Sequence, residues 1–203
     1  MSTGENIRNA VQVLIETYRS AKKLLDQCRS LAEERGYLPV ADRFLRWRSD
    51  TDPAGWLVNS VILPFQWSGD PECLSGNGCQ DGPVYAVEVF LGSAWENERD
   101  ALPQLYIARY DFDGVNEWTS PRWSPADHWI LHHPLHGVPD IPITGQGAYQ
   151  TAVPDGPRTA ERYYRLSRAV FRTHPLMEVT PENLEALVFG AFDELASLEP
   201  PRP

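Results

Sequence analysis

Lysine is nearly missing from this chain of 203 residues: of 18 basic side chains only Lys22 and Lys23 are not arginine. Cysteine is almost as scarce, and three residues make an odd count that excludes a disulfide framework as the source of stability. Cys73 and Cys79 flank the loop LSGNG, a spacing unlike the Cys-x2-Cys of common zinc sites. No apolar run approaches the roughly 20 residues that a bilayer crossing needs. The opening MSTGENIRNA has no hydrophobic stretch and no cleavage signal, so the expected compartment is the cytoplasm, without a membrane partner. Catalytic signatures are missing too. There is no Gly-x-Ser-x-Gly and no His-Glu-x-x-His, and the glycine-rich stretch 75–82 lacks both the Lys-Ser/Thr pair and the following helix of a phosphate-binding loop.

The composition that remains, 42% hydrophobic with 23% charged, is that of a folded chain rather than a disordered one. Its length suits a single domain over residues 1–203. Net charge is −10, unevenly spread: residues 1–48 sum to +3, 49–157 to −12, 158–174 to +4 and 175–203 to −5. An acidic middle repels phosphate backbones and attracts basic proteins, which makes nucleic acid the less favoured partner.

Periodicity predicts the elements. From residue 5 to 35, Ile7, Val11, Leu14, Tyr18, Ala21, Leu25, Cys28 and Leu31 recur at spacings of three and four, one face of a long helix that Gly36 ends. The stripe is wide enough to pack on a sheet of the same molecule, and also offers a homodimer contact through this helix. The strand-rich acidic region 43–135 contains four candidate strands, at 43–48, 56–67, 84–92 and 104–112, with a fifth short piece from His128 to His133. In VYAVEVFL almost every residue is apolar, as in a central strand covered on both faces. Two helices are predicted over 157–198, about 157–173 and 181–198, followed by a frayed tail at 199–203. The fold class is therefore α+β: a long N-terminal helix, an antiparallel sheet of about four or five strands, and two C-terminal helices packed on the sheet.

Three groups of residues carry candidate chemistry. DHWILHHPLHG holds four of the five histidines. His128 and His132, on one face of a strand, with His136 beyond the Pro134 turn, form a candidate site for zinc or iron, with Asp127 as an orienting carboxylate or base. Arg158, Arg162, Arg165, Arg168 and Arg172 share one face of the predicted helix after Pro157, a cationic stripe suited to phosphates or an acidic partner. Trp95, Glu96, Glu98 and Asp100, with Asp111, Asp113 and Trp118, combine aromatics with carboxylates as a protein interface does.

With no assembled catalytic motif, the leading expectation is a non-enzymatic protein-binding module without a cofactor. Its acidic, aromatic surface would recognise a basic protein, as an inhibitor or immunity-type antagonist does. The alternative is a metal-dependent enzyme, a hydrolase in the first instance, using His128, His132 and His136. A third reading is a nucleic-acid accessory protein acting through the Arg158–Arg172 face.

Overall fold

The alternation of apolar residues in three neighbouring segments builds the centre of the molecule, a seven-stranded antiparallel sheet. The structure is a computed structural model that describes residues 2–74, 78–93, 101–118, 123–145 and 147–198. In chain order the elements are α1 (Thr3–Glu34), β1 (Tyr37–Pro39), β2 (Ser60–Trp67), β3 (Val84–Phe90), β4 (Gln104–Phe112), α2 (His128–His136), β5 (Ile143–Thr144), β6 (Gln150–Ala152), α3 (Pro157–Arg162), β7 (Leu166–Pro175) and α4 (Leu184–Ser197). The strand order is β1-β2-β3-β4-β7-β6-β5.

The sheet buries both faces. Leu63 and Phe65 of β2, Val87 and Val89 of β3 and Leu105 and Ile107 of β4 pack against α1 and α4. There Tyr37, Phe65, Tyr85, Phe189 and Phe192 form a cluster of rings with centroids 5.0 to 6.5 Å apart. Ile62, Ala86, Ala108 and Tyr110 face the other way, toward Ile130, Leu131 and Leu135 of α2. Because strand side chains alternate, the even-numbered residues of β3 all look at α2, and Glu88 is among them.

The α+β class and the long N-terminal helix agree with the sequence reading, but the sheet has seven strands rather than four or five. The segment 43–48 contributes only an isolated bridge, Leu45 to Ile62, and Pro53–Trp56 is a 3-10 turn ahead of β2. Residues 128–133 are helical rather than extended. The backbone N–H of Ser124 bonds the Asp127 carboxylate at 2.8 Å, which starts the turn. The helix runs through Pro134 to His136 and ends at the left-handed Gly137.

The largest difference is at 157–175. The predicted helix stops at Arg162, Tyr164 and Arg165 take left-handed φ values of 57° and 62°, and the chain then runs as β7 beside β4. Val170 and Phe171, which a helical reading places on an apolar helix face, are residues that suit a pleated strand, and pairing with β4 decides between the two. The cationic face from Arg158 to Arg172 is therefore not formed. Arg162 pairs with Asp140, Arg165 with Glu117 and Arg168 with Asp111, while Arg172 donates to the Leu187 carbonyl and stands 3.5 Å from Glu194. Arg158 is exposed on α3.

Candidate functional site

Glu88 stands mid-strand in β3, opposite Ile62 on one side and Tyr106 on the other, with no solvent exposure. A carboxylate taken this far out of water needs compensating donors. Three side chains supply them. The Ser60 hydroxyl is 2.5 Å from Oε1, His132 Nδ1 is 2.7 Å from the same oxygen, and His136 Nε2 is 3.3 Å from both oxygens. Burial pushes the Glu88 carboxyl up, but His132 and His136, by charge and by hydrogen bonds, hold it well below the usual carboxylate range. It is ionised at neutral pH.

The helix brings the imidazoles together. In α2 the residues His128, His132 and His136 lie at i, i+4 and i+8, on one face turned toward the sheet. Their rings follow one another at centroid distances of 4.8 and 4.0 Å. His128 Nε2 lies 2.7 Å from Ser60 Oγ. A serine hydroxyl has one proton, and with an ionised carboxylate 2.5 Å away that proton goes to Glu88. His128 Nε2–H then donates to Ser60. Burial first, and then the His132 charge, lowers the His128 pKa to about 3, which keeps this ring neutral. His133 points away from the group, its Nδ1 2.8 Å from the Tyr163 hydroxyl. Phe90 and Tyr106 wall His136, each with its ring centroid 4.7 Å from the imidazole.

Two imidazoles and a carboxylate thus converge: one ligand atom each from Glu88, His128 and His132 lies within 4.8 Å of the others. This donor set suits zinc with a fourth position for water, or iron(II) bound by two histidines and one carboxylate. The 2.7 Å between Glu88 Oε1 and His132 Nδ1 is a hydrogen-bond distance. Two ligands of a tetrahedral ion at about 2.0–2.1 Å stand about 3.3 Å apart, so an ion held here would need this contact about 0.6 Å wider and the Nδ1 proton released. Ser60 Oγ, which bridges Glu88 and His128, would have to turn aside for both to reach one ion.

The expected histidines are therefore together, in a helix instead of a strand, and His136 stands beside the carboxylate rather than in the group of three. Asp127 is elsewhere: it bonds the Ser124 N–H and the Tyr164 hydroxyl. Glu88 and Ser60 escaped the sequence reading. Glu88 is the one charge within the apolar run VYAVEVF, and a lone carboxylate in a strand buried on both faces was the available signal.

Of the expected partner surface, Trp95, Glu96, Glu98 and Asp100 lie outside the described residues. Asp111 is engaged within the fold, by Arg109 Nε at 2.8 Å and Arg168 Nε at 2.5 Å. Asp113 is exposed in the turn after β4. Trp118 packs with Phe112, Trp123 and Tyr164. No protein-family model matches the chain, no curated protein matches it and no solved structure matches it.

Proposed function

We propose that this protein is a metal-dependent hydrolase whose zinc or iron ion is held by Glu88, His128 and His132. The observation that carries this reading is the convergence of their ligand atoms within 4.8 Å on a carboxylate with no solvent exposure. Three protein ligands leave a position for water, and a bound ion supplies a Lewis acid and an acidified water. In the reaction the water oxygen bonds to the electrophilic centre of the substrate, the bond to the leaving oxygen breaks, and the proton lost by the water ends on that leaving oxygen. To His136, 3.3 Å from Glu88 and still partly open to solvent, we assign the transfer of this proton. Ser60 is not assigned as a nucleophile, because its hydroxyl is buried and its proton is committed to Glu88.

Metal analysis of protein purified without chelator tests the reading. One equivalent of zinc or iron is expected, lost in Glu88→Gln and in His132→Ala while both variants stay folded by circular dichroism. Wild-type protein that is metal-free and takes up none of these ions overturns it. Recognition of a basic protein partner stands second, because Asp111, a half-buried carboxylate of that surface, is paired inside the fold. Metal-free protein that captures a basic partner in a salt-dependent way would return it to first place.

A further inference from the structure

The described surface has a cleft of about 1250 Å³ between the C-terminal half of α1, the segment 42–48 and the start of α2. Its charge runs against that of the molecule. In a chain of net charge −10, the lining includes Lys22, Arg29, Arg43, Arg46 and Arg48 against two carboxylates, Asp26 and Asp42. Lys22 and Asp26 pair with each other across one helical turn. Converging positive charge in a recess concentrates anions there.

Arg29 supplies the specific feature. Its Nε and Nη2 are both buried, and neither has a hydrogen-bond partner. These two N–H groups form one edge of the guanidinium, the edge that takes two oxygens of a phosphate or carboxylate side-on. The plane is steadied by Phe44, whose ring centroid lies 5.2 Å from Cζ. Buried donors of a charged group without an acceptor are costly, and an arriving anion removes that cost. Arg29 itself lines the cleft, so a small swing of its long stem turns this edge toward a ligand. At its far end the cleft reaches Trp129 and His128, and His128 is one of the three ligands assigned above.

We infer that this cleft binds a small phosphate monoester, its phosphate clamped by Arg29 and its remainder directed toward His128. The inference rests on the hydrolase reading for what happens to the ligand, and on the cleft alone for its binding. Phosphate is favoured over carboxylate because several arginines accompany Arg29, and a doubly charged group with three oxygens uses more of them. A small ester is favoured over nucleic acid, because the −12 segment 49–157 repels an extended polyanion.

The test is titration calorimetry of the protein as purified with phenyl phosphate and, separately, with benzoate. Phenyl phosphate is expected to bind, more weakly as salt rises, and more tightly than benzoate. Arg29→Met keeps the stem and removes the fork; it is expected to weaken binding by at least about tenfold while retaining the wild-type metal content. Arg46→Ala, at an exposed position, is the second variant and weakens binding without touching the fold. Glu88→Gln, which removes a ligand of the metal, retains binding of phenyl phosphate. Failure of the wild-type protein to bind phenyl phosphate overturns the inference, as does equal affinity for benzoate. Wild-type affinity in both Arg29→Met and Arg46→Ala does the same. Wild-type protein that holds no metal, takes none up and still binds phenyl phosphate sinks the hydrolase reading and leaves the cleft assigned. Metal-loaded protein that ignores phenyl phosphate does the opposite.

Discussion

His128 and His133 are neutral for a shared physical reason: each is buried before it is anything else. Burial, then His132, Arg162 and His136, outweighing Asp140, bring the His133 pKa down to about 4. For His128 the value is about 3, set by burial and by its histidine neighbours against the pull of Glu88. In the unfolded chain both titrate near the ordinary 6.5. Between about pH 6.5 and 4 the unfolded state therefore binds more protons than the folded one, and stability falls as pH falls through that window. Glu88 acts in the same direction at lower pH, since a carboxyl held well below its usual range stabilises the fold above that range and ceases to as it protonates. Urea unfolding of metal-free protein at pH 7, 6 and 5 is expected to show a steadily falling midpoint. His133→Asn is expected to flatten the slope by up to one proton. A midpoint that does not move across this range contradicts the neutral burial of these rings. The histidines themselves were visible in the sequence; their partner Glu88 was not, because it lies 40 residues from His128 and only strand pairing brings β3 under α2.

At the scale of elements, the ends of helices are tied to the sheet by arginine. Arg109 on β4 donates through Nη1 to the carbonyls of Leu195 at 2.8 Å, Leu198 at 3.1 Å and Ala196 at 3.3 Å, and Arg168 on β7 adds a bond to Leu198 at 3.1 Å. These are the orphan carbonyls at the C-terminus of α4, where positive charge also meets the negative end of the helix dipole. Asp111 holds both guanidiniums in place. Arg109→Met is expected to destabilise the protein by about 3 kcal/mol, because the carbonyls lose their donor and Asp111 keeps one buried partner instead of two. Urea unfolding at neutral pH checks this, and a loss below about 1 kcal/mol refutes the capping role. The same arginines explain the misread helix after Pro157. Spacings of four and three look helical whether or not the backbone is, and Arg168 and Arg172 in fact answer to groups on β4 and α4.

The whole molecule is a sheet with helices on both faces and one arm that reaches past it. Every residue from Ser2 to Glu16 is exposed, whereas Ala21, Leu25, Cys28 and Ala32 of the same helix are buried. Ile7, Val11 and Leu14 continue the buried stripe into solvent, at 62, 49 and 36% exposure. Tyr18 is tied to the segment ahead of β2, its hydroxyl accepting from the Val58 N–H at 3.0 Å. Deleting residues 1–16 is therefore expected to shift the melting temperature by less than about 2 °C, since no core contact is lost. Calorimetry of the shortened chain measures it, and a larger drop shows that the arm stabilises the domain. If the exposed stripe joins two copies, as its continuity with the buried half suggests, the full chain sediments as a dimer and the shortened one as a monomer.

For α1, β2, β3 and β4 the local apolar period was enough to place the element. The stripe of α1, the apolar runs of β2, β3 and β4 and the α+β class were all legible there, because burial demands those periods wherever the chain goes. Which face a residue meets is decided only by pairing. Tertiary structure made a helix of His128–His136, turned the arginine repeat into a strand, and set a lone glutamate under three histidines. The physical reason is that a buried charge and its partners gain nothing from nearness in sequence; they stabilise one another only after the sheet has closed and water has been removed.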